Sequence, residues 1–509
     1  MKEKVFTLLQ KKSKLSSFIL GLISALAFPP IYALYLFVLS LCLMFKLTDL
    51  NNSYKQVIIK SYWYGVGFFI AGFYWIGNAL LVDMVNFGWL YPIALFAIGA
   101  FFGLFTIPPF IAWYYFKKKN IYYQIVGFAC IWVLTEWIRS FLFTGFPWNL
   151  LGTVFAFNDI FIQTASIWGT YGLSFIFLIL CGSFYSLCVG FNKLSLVMIL
   201  SLVAFLTIFG LVRIKNYEYQ NSDIKIRLVQ PSIAQSMKWN RNELENNFHK
   251  YVELSKKETL DNVDFVIWGE TALPFDIEYN EKYRELIKEA IPNNGYLITG
   301  LVRYDIVNGK YEAFNSMYVI DKKANVVGFY DKNHLVPFGE YIPLRKFLPD
   351  WIRPIANNIA DFSTSEKLKN IKIGNYPKFG ALICYEIIFP DKVVNRKDKP
   401  DWLVVLTNDG WYGKSSGPYQ HLVSAKMRAV EEGISVVRSA NSGISAVINP
   451  LGEVIKQIEL HKKGWQDVYL PKYSKINTIY STFGKQIVLT ILVLSLIILA
   501  YTTRGCKLK

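Results

Sequence analysis

Long apolar segments separated by short polar gaps are the feature that most constrains how this 509-residue chain folds. Most of these segments approach the roughly 20 residues that an α-helix needs to cross a bilayer. Eight of them are present, at 14–29, 31–46, 59–81, 87–115, 121–139, 160–190, 194–213 and 485–502. They predict a polytopic α-helical membrane domain of about eight transmembrane helices, seven within residues 1–213 and the eighth within residues 485–509.

The charges around the membrane segments indicate an orientation. Residues 1–213 hold 14 Lys and Arg but only 5 Asp and Glu, and the lysines concentrate before the first segment and in alternate gaps. Because positive charge marks cytoplasmic loops, both termini are predicted to be cytoplasmic and residues 214–484 to face outward. The net charge of +17 therefore suits membrane topology better than a phosphate-binding groove, and no nucleic-acid partner is expected.

Residues 214–484 differ in character from the membrane segments. Their charges are mixed, and short strand-like runs alternate with helical patterns. The strand-like runs are 224–229, 264–269, 296–302, 316–320, 379–384, 402–407 and 444–449, and the helical patterns cover 241–258, 280–290 and 419–432. This alternation predicts one outward α/β domain with its own core.

Three polar residues of the outward domain each close a strand-like run, which for Lys332 is VVGFYDK at 326–332. They are Glu270, Lys332 and Cys384, and Cys384 is the one cysteine of residues 214–484. A carboxylate can take the proton of a thiol, and a lysine ammonium can stabilise both a thiolate and an oxyanion. Each residue alone also has an ordinary explanation: Cys384 as a core residue, Glu270 as a helix cap and Lys332 as surface charge. No Cys/His spacing typical of a metal site is present, so no metal is expected.

The sequences around these three residues resemble the nitrilase superfamily. They read WGETALP at 268–274, YDKNHLVPFGEYIP at 330–343 and CYEIIFP at 384–390. Together with the apolar segments, they make the whole chain similar to the apolipoprotein N-acyltransferase family. The resemblance implies an extracytoplasmic nitrilase-like αββα sandwich over residues 214–484.

The resemblance also implies roles for individual residues. Glu270 is the expected general base, Lys332 the transition-state stabiliser and Cys384 the nucleophile. Glu340, Tyr385 and Glu386 match supporting residues of the family site, with the backbone N–H of Tyr385 as an oxyanion donor. Trp239 and Trp411 resemble family aromatics near the substrate, although core packing or a membrane-interface position explains a tryptophan equally well.

The activity that the resemblance implies is transfer of a fatty acyl chain between membrane lipids. The donor is a glycerophospholipid, typically phosphatidylethanolamine, and the acceptor is the α-amine of the N-terminal S-diacylglyceryl cysteine of an apolipoprotein. A ping-pong reaction through a thioester on Cys384 is expected, with no cofactor. A monomer in the bacterial cytoplasmic (inner) membrane is expected, with the catalytic domain on the periplasmic side.

Two other functions are weighed against this one. A membrane-tethered amidase or nitrilase would use the same three residues with water as the acceptor, but eight membrane segments exceed what a tether needs. A transporter or scaffold would use the outward domain only for binding. Paired charges in the membrane segments would favour a transporter, and these segments are poor in charge, with Glu136 and Arg139 as the main exception.

The lysine distribution makes the orientation testable. We expect a reporter fused after residue 220 to lie outside the cytoplasm and one fused after Lys509 to lie inside it, because alternate gaps carry the positive charge. Reporter activity on each side of the membrane measures this. Protection of residues 214–484 from protease in intact right-side-out membranes would contradict the orientation.

Overall fold

The computed structural model describes residues 12–505, apart from 219, 276, 278–279, 350–352, 356–360 and 473–476. The first lysines of the chain and residues 506–509, on which the topology prediction partly relies, lie outside this range. The chain divides into two compact units, one of Met1–Asn216 with Thr482–Lys509 and one of Tyr217–Ser481.

The first unit is helical. Before residue 216 its helices are α1 (Ser13–Ser24), α2 (Leu34–Asp49), α3 (Tyr54–Phe73), α4 (Asn78–Leu81), α5 (Met84–Phe87), α6 (Tyr91–Gly103), α7 (Ile107–Tyr115), α8 (Ile121–Arg139), α9 (Asp159–Ile162), α10 (Ala165–Val189) and α11 (Lys193–Lys215). Asp49 at the end of α2 joins several of them. Its carboxylate accepts hydrogen bonds from Trp113 Nε1 of α7 at 2.8 Å and from Tyr185 Oη of α10 at 2.5 Å.

Five helical segments among the described residues are long and apolar enough to cross a membrane. They are Tyr54–Leu81, Met84–Tyr115, Ile121–Arg139, Ala165–Val189 and Lys193–Lys215. Shorter apolar helices cover Ser13–Ala27 and Gln486–Tyr501, and the expected segment at 31–46 falls on the 16-residue helix α2. A polytopic helical membrane unit is therefore confirmed, whereas the count of about eight crossings stays a prediction.

The second unit contains two six-stranded sheets. Its strands are β1 (Asn221–Gln230), β2 (Phe265–Ile267), β3 (Tyr296–Val307), β4 (Lys310–Ile320), β5 (Val326–Asp331), β6 (Asn370–Ile371), β7 (Phe379–Ile383), β8 (Trp402–Thr407), β9 (Ser435–Ala440), β10 (Ser445–Ile448), β11 (Val454–Ile458) and β12 (Gly464–Pro471). The strand orders are β12-β1-β2-β3-β4-β5 and β11-β10-β9-β8-β7-β6. The central pairs β1–β2, β2–β3, β7–β8 and β8–β9 are parallel.

Helices cover the outer faces of this sandwich. They are α13 (Leu244–Ser255), α14 (Glu281–Lys288) and α15 (Gly417–Glu432). The short helix α12 (Gln235–Lys238) also belongs to this unit, α16 (Ile479–Phe483) spans the unit boundary at residue 481, and α17 (Gln486–Gly505) belongs to the helical unit. Side chains from both sheets, such as Leu228 and Val404, share one core, while α13 and α14 pack on the first sheet through residues such as Phe248 and Ile287. The predicted αββα sandwich is confirmed.

Period-two burial explains why these strands form a sandwich. In β2, Phe265 and Ile267 point into the core between the sheets, whereas Val266 packs under the helices. Neighbouring strand residues thus bury opposite faces, as a sheet covered on both sides requires. All seven strand-like runs and all three helical patterns of the sequence fall on elements of the matching type. The sequence patterns missed β6, β9, β11 and β12.

Gly300 in β3 brings the segment that carries Glu270 against the sheet. A Cβ atom at position 300 would lie 2.4 Å from Thr271 N and 2.8 Å from Glu270 Cα. We expect Gly300→Ala to lower the free energy of unfolding by about 1–3 kcal/mol, because overpacking forces the backbone apart. Thermal unfolding of the detergent-solubilised protein measures this as a lower Tm.

Gly464→Ala is the matched control for this prediction. A Cβ atom there would meet its nearest neighbour, Ile458 Cγ2, at 3.8 Å, which is ordinary contact. The control should unfold close to the wild-type temperature. Equal Tm values for the two variants would contradict the tight packing at Gly300.

Candidate active site

The ends of strands from both sheets carry the three residues that the sequence singled out. Glu270 lies three residues after β2, Lys332 directly follows β5, and Cys384 directly follows β7. All three are buried, with 6%, 1% and 5% of their surface exposed. A hydrogen bond from Glu270 N to Thr407 O, 3.3 Å long, joins the end of β2 to the end of β8 in the other sheet. The three residues therefore converge at one edge of the sandwich.

A buried ammonium lies between two carboxylates at this edge. Lys332 Nζ is 2.9 Å from both carboxylate oxygens of Glu340 and 3.6 Å from Glu270 Oε1. Asn315 of β4 donates from its side-chain nitrogen to Glu270 Oε1 at 2.8 Å and to Glu340 Oε1 at 2.7 Å. Burial alone would lower the pKa of Lys332, but the charges of Glu340 and Glu270 outweigh it and raise the pKa above its usual value. Lys332 is therefore a permanent cation in the site.

The Cys384 thiol is protonated at rest. Burial and the negative charge of Glu270 raise the pKa of Cys384 to about 12, and the carboxylate of Asp409 adds to this rise. The Lys332 ammonium and a hydrogen bond with Thr407 oppose it. A thiol in this state needs a base to become a nucleophile, and Glu270 is the acceptor that its electrostatic surroundings offer.

Glu386 ties the two loops of the site together. Its carboxylate accepts four hydrogen bonds, from Tyr330 Oη at 2.7 Å and from the backbone nitrogens of Asn333, His334 and Ile383 at 2.8, 3.0 and 2.7 Å. Burial raises the pKa of Glu386, and these donors oppose the rise. Glu386 therefore ties the residues after Lys332 to the turn at Cys384 and anchors both segments.

The remaining predicted residues occupy adjoining segments. Tyr385 is buried, and its ring lies 5.8 Å from the ring of His334. Trp239 directly follows α12 and is 41% exposed, while Trp411 lies half-buried in the 3₁₀ turn Asp409–Tyr412 after β8. Among the described contacts, no hydrogen bond or ring contact joins either indole to Glu270, Lys332 or Cys384.

Sequence reasoning missed several polar residues at the site. Lys238 donates to the backbone oxygen of Glu270 at 2.8 Å and to Thr271 Oγ1 at 2.7 Å, and burial lowers the pKa of Lys238 to about 8. Asn315 is 2% exposed in the middle of β4. Asn315 directly precedes the strand-like run 316–320, so that run did not single it out. Nothing in the local sequence marks Lys238, because its partners lie 32 and 33 residues away.

No group of three or more His, Cys, Asp or Glu residues within the described ranges is arranged to hold a metal ion. The charged groups that surround Cys384 are the carboxylates of Glu270 and Asp409 and the ammonium groups of Lys332 and Lys238. Such a set supports nucleophilic acyl transfer: a thiol, a base beside it, and a fixed positive charge for the oxyanion.

Two family models match this chain. The carbon-nitrogen hydrolase model matches residues 225–470, and the model of the apolipoprotein N-acyltransferase N-terminal domain matches residues 20–183. The first match covers most of the two-sheet unit, including all residues discussed above. The second covers most of the helical unit.

Curated relatives match nearly the whole chain. An apolipoprotein N-acyltransferase of Rickettsia typhi is 37% identical over 494 residues, which are 96% of this chain and 98% of the relative. The protein of the same name from Rhodopseudomonas palustris is 34% identical over 503 residues, 94% and 93% of the two chains. Among solved structures, a Nesterenkonia amidase of the nitrilase superfamily is 17% identical and covers 50% of this chain and 92% of its own, with a TM-score of 0.35.

Asn315 gives a test of the buried charge network. We expect Asn315→Leu to lower acyl-transfer activity about 100-fold and to destabilise the domain by about 1–3 kcal/mol, because two buried carboxylates lose a donor. Activity and thermal unfolding measure the two effects. The same change at the exposed Asn325, which bonds Asp321 at the surface, is the control and should leave both nearly unchanged. An active, stable Asn315→Leu variant would show that the hydrogen bonds from Asn315 to Glu270 and Glu340 are dispensable.

Proposed function

Because the chain belongs to the apolipoprotein N-acyltransferase family, we propose that it transfers a fatty acyl chain from a membrane glycerophospholipid to an apolipoprotein. The acceptor atom is the α-amine nitrogen of the N-terminal S-diacylglyceryl cysteine, and phosphatidylethanolamine is the proposed donor. The reaction passes through a thioester on Cys384. The observation that carries the proposal is the buried convergence of Glu270 and Lys332 on the Cys384 thiol, with Glu340 bonded to Lys332.

In the first half-reaction, Glu270 accepts the proton of the Cys384 thiol. The thiolate attacks the ester carbonyl carbon of the phospholipid, and the Lys332 ammonium stabilises the oxyanion that forms. When the tetrahedral intermediate collapses, the carbon–oxygen ester bond breaks. The leaving alkoxide takes the proton from Glu270, so a lysophospholipid departs and the acyl group remains on sulfur.

In the second half-reaction, the neutral α-amine of the acceptor attacks the thioester carbonyl carbon. Glu270 accepts a proton from this nitrogen, the carbon–sulfur bond breaks, and the proton passes to the thiolate. The products are an amide on the lipoprotein and the free Cys384 thiol. Glu340 acts by holding Lys332, since both of its carboxylate oxygens lie 2.9 Å from Nζ.

The proposal extends to domains and location. Residues 1–213 and 485–509 form the membrane part, and residues 214–484 form the catalytic domain on the periplasmic side of the inner membrane. Both termini are cytoplasmic, and the enzyme acts as a monomer. The five long apolar helical segments support a membrane protein, and the lysine distribution supports this orientation.

A two-stage assay tests the mechanism. Incubation of the enzyme with phospholipid alone should release lysophospholipid in an amount close to that of the enzyme and then stop, because the acyl group stays on Cys384. A diacylglyceryl-cysteine peptide with a free α-amine should restart turnover, and the same peptide with a blocked amine should not. Glu270→Gln should slow the first release about 10²–10⁴-fold.

Cys384→Ala should abolish both stages, and mass spectrometry should find no acyl adduct. Cys188→Ala changes another thiol in the same way and should keep full activity, since Cys188 is an exposed cysteine of the helical unit. Full transfer by a folded Cys384→Ala variant would overturn the proposal. Continuous phospholipid hydrolysis without peptide would instead support the membrane-tethered hydrolase that uses water as acceptor.

A further inference from the structure

Cys384 has a backbone conformation that its surroundings must hold in place. Its φ angle is +52°, in the left-handed region that a residue with a Cβ atom rarely occupies. Such conformations persist only where neighbouring groups fix them. Cys384 sits at the first position of the 3₁₀ turn Cys384–Ile388, directly after β7. The groups that hold this turn therefore also set where the sulfur atom points.

His421 of α15 holds the carbonyl group of Cys384. His421 Nε2 lies 3.1 Å from Cys384 O, and because a carbonyl oxygen only accepts, Nε2 must carry the proton. The other ring nitrogen, Nδ1, lies 2.8 Å from Asp409 Oδ1 and 3.1 Å from an Arg438 guanidinium nitrogen. Asp409 and Arg438 therefore hold the imidazole ring from the side opposite Cys384. The histidine itself is completely buried.

Thr407, the last residue of β8, holds the sulfur atom. Strands β7 and β8 are parallel with Ile383 opposite Leu406, so the next residues along them, Cys384 and Thr407, lie side by side. The Thr407 hydroxyl can therefore hydrogen-bond the Cys384 sulfur, and such a bond lowers the pKa of the thiol. The same hydroxyl oxygen lies 3.2 Å from Asp409 Oδ1. A threonine hydroxyl has one proton to donate. It can therefore donate to Asp409 while accepting from the thiol, and it can turn to donate to sulfur once the thiolate forms.

Asp409 contacts both His421 and Thr407, the two residues that reach Cys384. Its Oδ1 atom contacts His421 and Thr407, and its Oδ2 atom accepts from Arg438 at 2.5 Å. Burial alone would raise the pKa of Asp409, but Arg438 and His421 hold this pKa well below its usual range. The carboxylate therefore stays ionised with both oxygens occupied. It does not compete with Glu270 for the thiol proton.

We propose that Thr407, Asp409 and His421 form a brace that positions Cys384, with His421 fixing its backbone carbonyl and Thr407 donating to the thiolate sulfur. These are positioning residues, since none needs to touch the acyl group. The inference rests on the role of Cys384 given under the proposed function and adds a second set of residues to it. Arg438 donates to Asp409 and keeps this carboxylate ionised.

Alkylation of Cys384 tests the proposed contact between the Thr407 hydroxyl and the Cys384 sulfur. The full chain in detergent is treated with iodoacetamide at pH 8, and mass spectrometry follows modification of the peptide that contains Cys384. We expect Thr407→Val to slow alkylation about tenfold, because loss of a hydrogen bond to a charged group raises the thiol pKa by about one unit. Thr407→Ser keeps the hydroxyl and should stay within about twofold of wild type.

The kinetics of transfer give a second measurement. In Thr407→Val, kcat for acyl transfer should fall about tenfold while KM for phospholipid stays unchanged, and Thr407→Ser should restore kcat. Ser255→Ala is the matched control, because it also removes a buried hydroxyl. This hydroxyl accepts from Trp268 Nε1 and donates to the backbone oxygen of Tyr251, and it does not contact Cys384. It should alter neither alkylation nor kcat. Thr407→Ala replaces Thr407→Val with the same expected slowing if the valine variant does not fold.

The outcomes separate this inference from the proposed function. Alkylation requires no lipid substrate, so it reports on the brace even if transfer proceeds by another route. If the wild-type enzyme forms an acyl adduct on Cys384 but a folded Thr407→Val variant alkylates at the wild-type rate, the brace is wrong and the mechanism stands. If no adduct forms on wild-type Cys384 while Thr407→Val alkylates slowly, the proposed function is wrong and the brace stands.

Discussion

The site depends on one buried ammonium group held between two carboxylates. An ion removed from water costs several kcal/mol, and the cost is recovered only when the geometry and the remaining hydrogen bonds are good. Lys332 meets this condition, since Glu340 lies at 2.9 Å and Glu270 at 3.6 Å, with Asn315 bonded to both acids. The ion pair keeps positive charge where an oxyanion can form. Glu270, the acid farther from Lys332, is the general base of the proposed mechanism.

Cys384 and Lys332 lie in the same buried site but favour different charge states, a neutral thiol and a charged ammonium. Burial, with the charge of Glu270, raises the pKa of Cys384 to about 12, so its thiol needs a base to become a nucleophile. In the proposed mechanism, Glu270 takes the proton while Lys332 and Thr407 stabilise the thiolate.

The two-sheet fold explains how residues so far apart in sequence meet. Parallel strands at the centre of each sheet end at the same edge, so loops after β2, β7 and β8 converge there. Buried hydrogen bonds of Glu386 and of His421, the partner of Asp409, then fix the turn at Cys384.

The sequence by itself determined the helical membrane unit, because bilayer thickness sets segment length and this leaves a direct trace in hydropathy. Its alternating patterns determined an α/β domain, and strand-end positions with local motifs singled out Glu270, Lys332 and Cys384. The sandwich class followed only from the resemblance of these motifs to the nitrilase superfamily. Only the tertiary structure decided that Glu340 holds Lys332 more closely than Glu270 does, and that Glu386 is an anchor. Lys238, Asn315 and the Asp409–His421 pair were likewise invisible beforehand. Their partners come from other strands and helices, and local sequence patterns do not encode the pairing of distant segments.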